Sequence, residues 1–249
     1  MQPDRAVSNS PLIGCCGWGE AKTKYFSDFP AIELQSTFYE PPSVALAAKW
    51  RALAPESFHF CLKAWQLITH TASSPTYRKL KSKLAAVEKD LVGSFQPTEQ
   101  VMLAWERTAL VARALQARLI LFQCPASFQP APENLGNLRT FFSEIKRGEF
   151  KLAWEPRGPW PSDLVIHLCN ELQLLRCVDP FAVAADDTQA PYWRLHGIGG
   201  YSYHYSDDDL ERLVAMLAAS STGAGKPRYV FFNNIWMKQD ALRFQQLLR

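Results

Sequence analysis

The sequence lacks most of the features that announce a function by themselves. No apolar run approaches the ~20 residues of a membrane-spanning helix, so no spanning helix is expected. The opening MQPDRAVSNSP has no apolar h-region, so no secretory signal is expected, and residues 1–11 read as a disordered lead-in. Charge of one sign is not in excess either. A formal net charge of +3 is too small to argue alone for nucleic acid, a membrane surface or an acidic substrate. There is no Walker loop, HExxH, EF-hand or Ser–His–Asp elbow, and GCCGWGEAK misses the G-x-G-x-x-G register. The cysteines at 15, 16, 61, 124, 169 and 177 form no C-x-x-C pair, which leaves buried, reduced thiols of a cytoplasmic protein as the favoured reading.

What is present is the material of one large core. At 249 residues and 47% hydrophobic content, with no internal repeat or linker, the chain suits a single domain over 12–249. Apolar strand-like runs occur at Leu12–Cys16, Ala31–Gln35, Phe58–Lys63, Arg118–Gln123, Lys151–Glu155, Leu174–Asp179, Tyr192–His196 and Arg228–Asn233. Helical signals lie between most of them. Ser43 caps a stripe of Leu46, Ala47, Trp50 and Leu53. Further stripes occupy Glu99–Gln116, Asn134–Arg147, Ser162–Leu172, the segment after Ser206, and Lys238–Leu248. Strand–helix alternation of this kind predicts a parallel sheet clad in helices. Eight units predict an α/β fold, a single (β/α)8 TIM-barrel-like domain. It is irregular at the first and sixth connections, with a helical insertion over Ala72–Pro97 after strand three. A doubly wound open sheet is the rival, and the missing glycine-rich loop disfavours it.

Several motifs in fixed order carry a resemblance. IGCCGWG, IELQSTFYEPPS, FHFCLKAWQLITH, LILFQCPASF, LAWEPRGPW, VDPF, YWRLHG and YVFFNN together resemble the domain of unknown function 72 family, also called the YecE-like family. The match runs from about Ile13 to the C-terminus. The resemblance implies a TIM-barrel-type fold and specifies no reaction. Two positions depart from the family pattern: Gln35 replaces an asparagine, and Cys15–Cys16 replace a Thr–Ser pair.

Strand parity locates a candidate site without the family. Successive strand residues face opposite ways, so if Glu33 and Gln35 point inward, so do Lys63, Gln123, Glu155, Asp179, Arg194, His196 and Asn233. These polar residues gather at strand C-terminal ends, the face where barrel enzymes build their sites. Glu155 and His196 are the expected proton carriers. Glu33, Gln35, Tyr39, Lys63, His70, Gln123, Arg157, Asp179, Arg194 and Asn233 are the expected substrate-binding residues, with Lys63 and Arg194 suited to a phosphate or carboxylate. Lys63 is not expected to form Schiff bases, because neighbouring carboxylates would raise its pKa.

Three readings stay open. One is acid–base chemistry on a small anionic, phosphorylated or sugar-like molecule. Another is a nucleic-acid-binding or processing protein that uses the strand-end aromatics Trp18, Phe38, Tyr39, Trp65, Trp160, Tyr201 and Tyr203 with the Lys79–Lys89 segment. The last is a non-catalytic barrel whose Glu33, Lys63, Glu155 and Arg194 form a structural ion-pair lattice. No motif implies a cofactor. A divalent metal held by Glu33, His70, Glu155, Asp179 and His196 would have suitable ligand types, though no fixed spacing supports it. A small-molecule ligand is the expected partner, a membrane is not, and nothing in the sequence sets an oligomeric state.

Overall fold

A computed structural model describes residues 11–82, 84–184, 188–220 and 228–249. Eight parallel strands close into a barrel in sequence order. They are β1 (Leu12–Cys15), β2 (Ala31–Leu34), β3 (His59–Lys63), β4 (Leu119–Gln123), β5 (Lys151–Glu155), β6 (Leu175–Val178), β7 (Tyr192–Leu195) and β8 (Tyr229–Phe232). Most expected strands run a residue or two longer than these, at the N-terminal end for Phe58, Arg118, Leu174 and Arg228 and at the C-terminal end for Cys16, Gln35, Asp179, His196 and Asn233. The expected lead-in at 1–11 falls almost wholly outside the described residues.

The helices follow their sequence signals. They are α1 (Lys22–Asp28), α2 (Ser36–Tyr39), α3 (Val44–Leu53), α4 (Gln66–Thr69), α5 (Glu99–Ala114), α6 (Pro132–Glu144), α7 (Ser162–Glu171), α8 (Asp207–Ala219) and α9 (Met237–Leu247). Ser43 Oγ accepts from Leu46 N at 3.1 Å, so the expected cap is made, and Ser206 Oγ likewise accepts from Asp209 N at 3.1 Å. The first connection carries only the seven-residue α1. The sixth has no α-helix among the described residues. The insertion after β3 consists of short 3-10 turns, Pro75–Lys79 and Ala86–Leu91, with no long helix.

Two hydrophobic layers result. Cys16, Ala31, Cys61, Leu121, Ala153, Cys177, Tyr192, Tyr229 and Phe231 fill the barrel. The opposite parity, with Ile32, Leu34, Phe60, Leu62, Phe122, Trp154 and Trp193, packs against the helices. The parity argument therefore holds on every strand it was applied to. Gly14 permits the closest strand contact, since a Cβ there would sit 2.1 Å from the Ala31 carbonyl oxygen. Tyr25 of α1 ties the same edge, its hydroxyl accepting from Cys15 N at 2.8 Å and donating to Ala31 O at 3.0 Å.

Candidate active site at the C-terminal mouth

Burial sets the first layer of the site. Glu33 and Arg194 are 0% and 1% exposed, and a lone charge there would be untenable. Arg194 resolves this by donating from Nη2 to Glu33 Oε1 at 2.9 Å and from Nη1 to Glu155 Oε2. Tyr192, one turn of parity below Arg194, donates to Glu33 Oε2 at 2.6 Å. Sequence reading passed over Tyr192, although its shared parity with Arg194 and His196 was a usable signal.

The second layer faces a cavity. Glu155 Oε1 forms an ion pair with Arg157 Nη2 at 2.7 Å and lies 3.0 Å from His196 Nε2. Asp179 accepts the His196 amide at 2.9 Å and the Phe181 amide at 3.0 Å, so it shapes the loop after β7. Gly197 makes that turn at φ +88°, where a Cβ would lie 2.2 Å from the Gly200 carbonyl oxygen. Glu155, Arg157, Asp179 and His196 line a cavity of about 570 Å³, walled further by Trp160 and Arg176. Arg157 Nε is buried there without a hydrogen-bond partner.

A polar relay reaches the His196 ring. Glu33 only accepts, so Gln35 must turn its amide nitrogen toward it, and that same nitrogen donates to Asn233 Oδ1; both distances are 3.2 Å. Asn233 therefore presents Nδ2–H to His196 Nδ1 at 3.0 Å. Arg157 Nη2, which can only donate, lies 2.6 Å from His196 Nε2, so a donor faces each ring nitrogen, while Glu155 Oε1 stands 3.0 Å from Nε2.

The carboxylates are driven apart. Burial pushes Glu155 up, but Arg194, Arg157 and His196 outweigh it and hold the group well below the ordinary carboxylate range. Asp179 is raised, chiefly by burial that its amide donors only partly offset. Lys63, on the other side of the mouth, donates to Gln123 Oε1 at 2.7 Å and sits 3.6 Å above the Phe38 ring centroid. Its pKa falls to about 7, through burial first and Arg194 second, against the pull of Glu155 and Glu33. The expectation that carboxylates would keep it high is overturned, because desolvation and a like charge together win.

Not every expected residue joins. His70 is packed edge-on to Phe38, with Nδ1 2.8 Å from the Thr69 hydroxyl, and burial depresses its pKa to about 3. Tyr39 contributes its carbonyl to Trp65 Nε1 and Gln66 Nε2 and its ring to Lys79. Among the described residues no group of three or more His, Cys, Asp or Glu is arranged to hold a metal. Arginines occupy the carboxylate oxygens that such a site would need. The expected aromatic rim is mostly spent on packing: Trp18 sits among Tyr25, Phe26 and Trp50, and Trp160 stacks on Phe128. Tyr201 stays 59% exposed. Burial pushes the Cys16 thiol well up and the Cys124 thiol to about 12, so neither is an activated nucleophile.

The model of the family described as "Protein of unknown function DUF72" matches residues 12–249. The chain belongs to the DUF72 family. The UPF0759 protein YunF of Bacillus subtilis (strain 168) is 25% identical to it over 89% of this chain and 88% of its own. A DUF72 family protein of Enterococcus faecalis V583 superposes with a TM-score of 0.69 at 19% identity, covering 96% of this chain and 95% of that one. Outside DUF72, a D-psicose 3-epimerase solved in the presence of D-fructose shares the fold, with a TM-score of 0.57 at 10% identity over 96% and 98% of the two chains. This DUF72 barrel thus has the architecture found in sugar epimerases and isomerases. No helix among its described residues is long and apolar enough to cross a membrane.

Proposed function

We propose that this DUF72 protein is an enzyme that moves protons on a small, polar, sugar-like or phosphorylated metabolite held at the C-terminal mouth. One observation carries the reading. A cavity of about 570 Å³ opens onto Glu155, Asp179 and His196, and its two carboxylates are pushed in opposite directions. Such divergence is how a fold assigns one carboxyl to hold a proton and another to stay charged.

In this reading Glu33, Arg194 and Tyr192 are scaffold, since Arg194 spends both terminal nitrogens on carboxylates. Glu155 stays ionised and orients His196. A substrate hydroxyl that displaces Asn233 meets a ring nitrogen free to take its proton, with Glu155 behind to stabilise the imidazolium. Asp179 is the second proton carrier. Arg157, 38% exposed at the side chain and with Nε unpartnered, receives the substrate's anionic or carbonyl oxygen. The kinship of fold with a D-psicose 3-epimerase favours a sugar-like substrate. Free buried thiols at all six cysteines suit the reducing cytoplasm. The nucleic-acid reading has no comparable support, because most of its stacking rings are packed inward.

The test is hydrogen exchange in D2O, followed by NMR, with a panel of aldoses, ketoses and their phosphates. Exchange at a carbon beside a carbonyl is expected, and His196→Asn should slow it by about 10²-fold or more. Exchange with no member of the panel, together with no stabilisation of the protein by any of them, rejects the proposal.

A further inference from the structure

We propose that the opposite, N-terminal mouth of the barrel is a binding site for a small, multiply charged oxyanion such as a phosphate- or carboxylate-bearing metabolite. A second cavity, about 590 Å³, lies there, a volume suited to a small metabolite. It is lined by Arg113 at the end of α5, Arg118 just before β4, Lys151 at the start of β5, and Phe150, with His59 and Tyr229 contributed by the strands. None of these residues takes part in the chemistry proposed for the other end.

Arg113, Arg118 and Lys151 are all exposed, and their charges are left to solvent. Lys151 N donates to Arg118 O at 3.2 Å, so the two side chains leave neighbouring strand starts. The side chains of Arg113, Arg118 and Lys151 have no hydrogen bond or ion pair with any described residue. Glu149 is the one acid on the cavity wall, and it is exposed. Positive charge converges here strongly enough to be felt by its neighbours: His59 is lowered by burial and then by Arg118, Lys151 and Arg51, and Arg51 itself by burial and then by Arg118. His59 Nδ1 lies 3.0 Å from the Tyr229 hydroxyl, a neutral hydrogen-bonding pair on the cavity wall.

An oxyanion would answer each of these features. Two guanidinium forks and an ammonium supply the bidentate and point-charge contacts that phosphate and carboxylate groups take. A neutral, uncharged ligand would leave the repulsion among the cations untouched. A cation is excluded by the same charges.

Isothermal titration calorimetry on the full chain tests this, with inorganic phosphate, pyrophosphate and citrate added at constant ionic strength balanced by chloride. Saturable one-site binding of at least one of these anions is expected. The Arg118→Ser/Lys151→Ser double variant should weaken it at least ten-fold, whereas Lys49→Ser, at an exposed position of α3, should leave it unchanged. Should the double variant melt below the parent chain, Arg118→Gln and Lys151→Gln made singly serve instead, each expected to weaken binding. Absence of saturable heat with all three anions overturns the site. So does an affinity that the Arg118 and Lys151 changes leave intact, or that Lys49→Ser removes.

Discussion

Gln35 donates from Nε2 to Asn233 Oδ1 at 3.2 Å, joining residues 198 positions apart. Asn233 Nδ2 in turn lies 3.0 Å from His196 Nδ1. The Gln35 amide nitrogen touches Glu33 and Asn233 together.

Gln35→Leu should therefore free Asn233 to rotate. Nitrogen-15 NMR of the His196 ring is expected to show different Nδ1 and Nε2 shifts in the parent protein and in the variant. Unchanged ring shifts would remove Gln35 from the relay.

Arg194→Met strands two buried carboxylates at once. Breaking a buried ion pair on one side typically costs about 3–5 kcal/mol, so the urea midpoint should fall by an amount in that range. Tyr192→Phe removes only the donor to Glu33 Oε2 and should cost less, about 1.5–3 kcal/mol. Equal losses for the two variants would contradict the ordering.

Lys63 gives stability a pH dependence of definite sign. Its folded pKa, about 7, lies below the unfolded value, so between these the unfolded chain binds the extra proton. Stability should rise as pH increases through 7 toward 8.5. Below 7 the full penalty of charging a buried amine is present. Lys63→Met should flatten this rise, as read from urea midpoints at pH 6, 7, 8 and 8.5. The window stops there because the cysteine thiols, raised by burial, act in the opposite sense at higher pH.

His70 should not titrate where free histidine does. With its pKa depressed to about 3 by burial, its ring proton shifts should stay constant from pH 7 to pH 4.5. A sigmoidal shift with a midpoint near 6 would show that the ring is hydrated after all.

The period-two alternation of β2, β3, β5 and β7 determined a great deal. It placed Glu33, Lys63, Glu155, Arg194 and His196 inside one barrel mouth, because the strand pleat leaves each residue only two directions. Caps such as Ser43 and Ser206 were equally local and equally legible. The sequence could not say which acid would hold which base. That choice depended on the parallel register that sets Gln123 beside Glu155 and Arg194 beside Phe231, and on competition for a few oxygen atoms. Tertiary structure alone gave Arg194 to two carboxylates, turned His70 onto Phe38, and buried Lys63 deeply enough for desolvation to outweigh attraction. It also gathered Arg113, Arg118 and Lys151 around a cavity at the barrel's other end. Alternation is a property of neighbours along the chain, whereas pairing and dielectric belong to groups that meet only when the barrel closes.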